Sequence, residues 1–403
     1  AAVMEMEALE MMGRCEEPTL LEWFNILPEE IIRVRPVLSM YYGFILLTHI
    51  SPDEAEPWTI YAERWIDNPP DRPGLNDAVG STASEMVVTD EKAYRSLPGS
   101  IALTRAYRAG LVGDVETTLV YARQALENLP EDDNFWRGVA TAFLGISYWT
   151  TGELEAAYET FAEGVATLKL NGDTDIEVSG EVVLASIRMS QGRLREAKRI
   201  LESSIEIAEN HSKSTLFGAA DLQVGLGKLY REWGDLAAAK EHLQTGEDMD
   251  EAAAISENKH HAYILKSQFE LQEGNYDAAL DLLTEADRLY TPTSTPTPDL
   301  RPAAAHRAKV WIAQGRLTEA SDWARNRGLS AKDELSFAHE YEHITLAALS
   351  VAKHRSDPAE HSIQGIIELL ERLLDTADAA GRVGSIIEIL VALYYSGFLK
   401  IDP

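Results

Sequence analysis

The sequence predicts an all-α fold, a right-handed superhelix of stacked helix pairs with a period of about 40 residues. Three observations predict it. A glycine returns at nearly constant spacing, an apolar pattern at helical offsets follows each one, and 403 residues exceed one ordinary core. A stack escapes that size limit because each unit packs only on its neighbours.

Taken from the start, residues 1–66 read as helices without the glycine punctuation. Leu20, Leu21, Phe24 and Leu27 form one apolar stripe, Pro28 starts a new turn, and Val37–Leu47 is a second apolar segment. The chain opens Ala-Ala-Val inside a helical pattern with no start Met, which reads as a piece of something larger. Residues 67–99 read as an irregular connector, because Asn68-Pro-Pro-Asp-Arg-Pro-Gly74 is too rich in proline and glycine for a helix. The array proper is 100–403.

Within it the glycine appears at Gly113, Gly152, Gly192, Gly234, Gly274 and Gly315, at separations of 39, 40, 42, 40 and 41 residues. Two residues on stands Val115, Leu154, Leu194, Leu236, Tyr276 or Leu317. Five on stands Thr118, Ala157, Ala197, Ala239, Ala279 or Ala320. Nine on stands Ala122, Phe161, Leu201, Leu243, Leu283 or Ala324. These offsets share one helical face. The alanine lets two helices cross closely, and glycine supplies the left-handed backbone that ends the first helix. Leu144-Gly145-x-x-Tyr148 with Ala157 and Phe161 matches the tetratricopeptide pattern, as does Leu226-Gly227-x-x-Tyr230 with Ala239. Thr291–Pro302 interrupts the array and reads as an extended, variable connector, with cover for the groove as the other reading. His361–Ala379 and Ile386–Tyr395 are further helices, with Gly381 between them.

Composition narrows the partners. A net charge of −30 argues against direct contact with nucleic acid or an anionic membrane surface. Cys15 is the one cysteine, so no internal disulfide forms and a reducing cytoplasm fits. Tyr41–Leu47 is far too short to span a bilayer.

One motif carries chemistry on paper. His339-Glu340-Tyr341-Glu342-His343 satisfies H-E-x-x-H, the helical spacing with which zinc peptidases hold their metal. Glu360, His361 and Glu368 lie downstream, but no cleft pattern accompanies them. A polar helix face is therefore preferred, and His339 and His343 stand as the alternative metal pair. Gly225-Leu-Gly227-Lys228 lacks phosphate-loop spacing, and Asp173-Thr-Asp175 lacks the rest of a calcium loop. Asn210-His211-Ser212 is a sequon that a cytoplasmic chain does not use. No serine or cysteine nucleophile has its signature, so no catalytic residue is expected.

From about Leu97 to Leu390 the chain resembles the repeat domain of MalT-like, large ATP-binding regulators of the LuxR type. The likeness rests on Leu97-Pro-Gly-Ser-Ile-Ala-Leu-Thr-Arg105-Ala-Tyr107, Arg137-Gly-Val-Ala-Thr-Ala-Phe-Leu-Gly145, Trp323-Ala-Arg325-Asn-Arg-Gly328-Leu-Ser330, Glu340-Tyr-Glu-His343 and Gly384-Ser-Ile-Ile-Glu388. Upstream, Trp23-x-x-x-Leu27-Pro28 and Arg35-Pro36-x-Leu38 are similar to the family's entry into this domain. The resemblance implies a sensor module of a transcriptional activator, with ATP bound by an upstream module absent from this chain. It implies no cofactor here, and partners that include other modules of the same regulator and a second copy.

The expected function is inducer binding in the concave groove, coupled to self-association. Register against the glycine nominates Tyr107, Trp149, Lys228, Arg231, His261, Gln268, His306 and Lys309 as ligand-facing, and Arg105 and Arg137 with them, pairing with Glu or Asp being the other reading of those two. The alternative is a tetratricopeptide scaffold that grips a peptide or partner protein in the same groove.

Overall fold

Each recurring glycine turns a corner between two helices. In the computed structural model, Gly113, Gly152, Gly192, Gly234, Gly274 and Gly315 all have φ between +73° and +89°. At each corner the residue after the glycine donates its backbone N–H to the carbonyl five residues back. Examples are Glu153 to Tyr148 at 2.9 Å, Asp235 to Tyr230 at 3.0 Å and Asn275 to Glu270 at 2.8 Å. These bonds satisfy carbonyls that a helix end leaves bare.

The structure describes residues 1–14, 16–67, 86–170, 174–209, 216–253, 259–290, 298–358 and 363–395. Cys15, the run from Asn68 to Gly74, Asp173, the Asn210–Ser212 sequon, Thr291–Thr297, Glu360 and His361 lie outside them. Every regular element among the described residues is helical, as expected. None of these helices is long and apolar enough to cross a membrane.

The chain divides into two compact units. Among the described residues, the first holds those within 1–147 and 159–180, and the second those within 148–158, 181–290 and 298–395. The first begins with α1 (Ala2–Gly13), α2 (Glu17–Ile26), α3 (Glu29–Arg33), α4 (Pro36–His49) and α5 (Pro52–Asp67). It continues through α6 (Glu91–Leu111), α7 (Val115–Asn128) and the larger part of α8 (Asn134–Thr151). The start of α6 falls inside the segment expected to be irregular. The Asp90 carboxylate caps it by accepting from the Lys92 and Ala93 amides at 2.9 and 3.0 Å. Glu5, fully buried, accepts from the Thr89 and Asp90 amides and from Arg35, at 2.7, 3.1 and 2.7 Å. A long-range carboxylate of this kind leaves no local signature in the sequence.

Between α8 and α9 (Leu154–Lys169), Gly145 shows how closely the helices cross. A Cβ there would stand 2.7 Å from the Phe161 amide nitrogen. The second unit continues with α10 (Thr174–Ser190), α11 (Leu194–Glu209), α12 (Leu216–Glu232), α13 (Leu236–Ala253), α14 (Lys259–Glu273) and α15 (Tyr276–Leu289). It ends with α16 (Ala303–Ala313), α17 (Leu317–Asn326), α18 (Glu340–Ser356), α19 (Ile363–Ala379) and α20 (Val383–Tyr395). Ala157, Ala197, Ala239, Ala279 and Ala320 are all 0% exposed, so the periodic alanine lies wholly inside the helix packing. Leu201, Leu243 and Leu283 wedge beside them and are buried too. Burying each such leucine contributes roughly 1.5–3 kcal/mol.

Candidate binding cavity

The first helices of successive pairs carry their chemistry at offsets of three and four. On α12 this puts Lys228 and Arg231 on one face. On α14 it puts His261, Ile264, Leu265 and Gln268 on one face. In the second unit these faces, with Trp149 on α8 and Met189 on α10, enclose a cavity of about 340 Å³.

The opposite wall comes from the end of the chain. Phe337, in a short 3₁₀ turn, sits against the Gly152 corner, where its Cβ would lie 2.9 Å from an added Cβ. Val383 at the start of α20 sits against the Gly192 corner in the same way, at 2.8 Å. These two corners therefore require glycine twice, for backbone conformation and for space. Glu340, Tyr341 and Ile344 from α18 and the segment Pro298–Arg301 complete the lining.

A polar network organises this wall. His306 on α16 is 5% exposed, and burial holds its imidazole well below its usual pKa. A neutral ring has one donor and one acceptor nitrogen, and the Tyr341 hydroxyl and His306 Nδ1 share a hydrogen bond of 3.0 Å. The Gln268 amide lies 3.4 Å from the same ring. Glu388 receives Arg301 Nη1 at 2.9 Å and Lys309 Nζ at 2.8 Å. Burial opposes its ionisation, but these two cations hold Glu388 down to about 2. Both cations also lie over the Tyr341 ring, at 4.8 and 4.1 Å from its centre.

Lys228 is handled differently. It is half-buried among protein atoms, and among the described residues it makes no ion pair. Burial pushes it down to about 8, with Asp221 and Asp299 acting only through space. Burial likewise pushes the Asp299 carboxyl up to about 6 and His261 well below its usual value. The indole N–H of Trp149, 7% exposed, and the Nε–H of Arg231 are buried without an acceptor.

Of the ten positions nominated by register, the structure brings six into this cavity: Trp149, Lys228, Arg231, His261, Gln268 and His306. Lys309 stands behind the wall on Glu388. The other three serve the first unit. Arg105 on α6 clamps Glu56 and Glu63 of α5, both at 2.7 Å. Tyr107 packs against the Phe44 and Phe143 rings in the core. Arg137 donates to the Leu126 and Leu129 carbonyls at 3.1 and 3.2 Å, closing the end of α7. Sequence reasoning missed Asp299, Arg301, Phe337 and Val383. None of them occupies the repeat register, so long-range packing alone brings them in.

The H-E-x-x-H residues are placed as structure. Glu340 takes Arg382 Nε at 2.9 Å, and Glu342 takes His339 Nδ1 at 2.8 Å and Arg327 at 2.7 Å. His343 uses both ring nitrogens, one 3.0 Å from the His339 carbonyl and the other 3.2 Å from Asp333. Among the described residues no cluster of three metal-ligating side chains exists.

Comparison with known proteins adds three findings. The sequence model of the MalT-like TPR region matches residues 99–395. The fold is similar to the crystal structure of a Rap protein complexed with competence and sporulation factor. That likeness has 12% identity and a TM-score of 0.53, covering 98% of this chain and 97% of that one. Lesser likenesses are apo RapI (11% identity, 90% and 96% coverage, TM-score 0.45) and aspartyl phosphate phosphatase F from Bacillus subtilis (13%, 94% and 98%, 0.42). No curated protein sequence matches the chain. At 12% identity the likeness to the Rap protein complex speaks for the helical-repeat fold alone.

Proposed function

The chain belongs to the MalT-like TPR-region family, and from that premise we propose that its second unit is the inducer-binding sensor of an ATP-dependent transcriptional activator. The observation that carries this reading is the cavity of about 340 Å³, which lies within the usual range for small-molecule sites. Its make-up supports the reading as well. Apolar walls from Met189, Ile264, Phe337 and Ile344 surround a few convergent polar groups, and two of those groups await a partner.

Signalling follows from where the walls come from. The cavity touches α8, α10, α11, α12, α14, α16, α18 and α20 at once, so an occupant bridges eight helices. A ligand that binds one arrangement of these helices more tightly shifts the population toward it, by its differential affinity and no more. The favoured arrangement would then promote self-association of the full regulator. ATP would act in a separate module.

A protein-interaction scaffold is the second reading, and one observation favours it. Leu390, Val391, Tyr394 and Tyr395 leave α20 with an exposed apolar face.

The test is a thermal-shift screen of metabolites on the full chain, with sedimentation velocity on each hit. The expected result is stabilisation that disappears in Ser190→Trp, a change that fills the cavity, together with a ligand-dependent rise in mass. Hits that stabilise Ser190→Trp equally would contradict the sensor reading. Loss of partner capture in Leu390→Asp, with no small-molecule hit, would favour the scaffold.

A further inference from the structure

The polar side-chain atoms left over in the cavity share one character. Trp149 Nε1 and Arg231 Nε lack acceptors, and both are donors. Lys228 adds a cation with no ion pair, one helical turn from Arg231. Every carboxylate near them is either engaged or apart. Glu232 takes Arg231 Nη1 at 2.9 Å, Glu340 takes Arg382 at 2.9 Å, and Glu388 is shared by Arg301 and Lys309. Asp221 and Asp299 act on Lys228 through space without forming an ion pair. His261 and His306 are neutral by burial and supply no further charge. A half-buried ammonium without an ion pair and two buried, orphaned N–H groups are costly in an apo cavity. The cost is recovered by an occupant that brings negative charge and acceptor oxygens together.

We propose that the occupant of this cavity is an organic anion, a carboxylate or phosphate ester with an apolar body, whose headgroup is held by Lys228, Arg231 and Trp149. The inference rests on the sensor reading and specifies the ligand that the reading leaves open. Lys228 supplies charge, the Arg231 Nε–H and the Trp149 indole N–H supply direction, and Met189, Ile264, Phe337 and Ile344 cover the body. A neutral polyol would leave Lys228 without an ion pair, and a cation would meet it as a like charge. The arrangement discriminates by charge inside a chain whose net charge is −30, so the attraction is local to the cavity.

The experiment uses the full chain labelled at the tryptophan indole nitrogens, with Trp149→Phe identifying the Trp149 resonance. Phenylacetate and phenyl phosphate are titrated beside uncharged phenylacetamide. The expected result is a saturable shift of the Trp149 indole with one or both anions, and none with phenylacetamide at equal concentration. Carboxylate and phosphate headgroups are told apart by which anion saturates first. Lys228→Met should weaken the anion at least tenfold, whereas Lys228→Arg should stay within about threefold of the parent. A circular-dichroism melt confirms that both variants are folded. If phenylacetamide shifts Trp149 as strongly as the anions, the cavity binds ligands and the anion proposal fails. If the anions bind equally to Lys228→Met, the assignment of the headgroup site fails. If no probe moves Trp149 in the parent, both the anion proposal and the sensor reading of this cavity fail.

Discussion

At Gly274 the backbone holds φ at +81° and no atom lies within 4 Å of the place a Cβ would occupy. The cost of a side chain there is therefore conformational alone. Gly274→Ala is expected to lower unfolding free energy by about 1–2 kcal/mol in urea denaturation, and Gly274→Asn by less. Gly145→Ala meets the Phe161 amide nitrogen at 2.7 Å, so helix backbones must part, and the expected loss is about 1–3 kcal/mol. Lys228 works in the opposite direction. Burial holds it at about 8, below its unfolded value, so the unfolded chain binds more protons between those two values. Lys228→Met should therefore raise the melting temperature at pH 7 while it weakens ligand binding, as expected of a residue kept for function. The buried histidines set the acid limb. His260 titrates near 4, with burial the largest cause, and in the unfolded chain near 6.5. Its contribution is intact above about pH 6.5 and is lost as pH falls toward 4. His260→Asn should shrink the stability difference between pH 7 and pH 5 by at most about 2 kcal/mol. Asp299, pushed up to about 6, gives the opposite slope over the range below that value and offsets part of the loss.

The elements differ in how far local sequence determines them. The corners and the alanines beneath them were legible because both depend on a few neighbouring residues repeated at a fixed period. Gly234 at +80° and Ala239 at 0% exposure stand where the spacing put them. Register also placed the α12 and α14 residues in the cavity. In the first unit the nominated Arg105, Tyr107 and Arg137 face the α5 carboxylates, an aromatic core and the end of α7. The far wall was illegible for a different reason. Phe337 and Val383 are recruited across 185 and 191 residues of chain by corners whose glycines leave room for them. Between α18 and the turn before α20, the Glu340–Arg382 pair holds that wall, with side chains 6% and 3% exposed. Arg382→Met leaves a buried carboxylate alone and should cost about 3–5 kcal/mol, whereas adding Glu340→Met should recover most of it. A double-mutant cycle followed by urea denaturation measures both steps.

For the whole molecule, the second unit is proposed to bind its ligand inside a cavity shared by eight helices. Ligand binding should then slow amide exchange in a pattern that is scattered in sequence and contiguous in space. Hydrogen exchange of the full chain, with and without the strongest stabilising compound from the screen, measures this directly. Protection is expected at the ends of α10 and α12, through α14, at Pro298–Arg301 and at the starts of α18 and α20. Protection confined to α1–α7, with those segments unchanged, would contradict it.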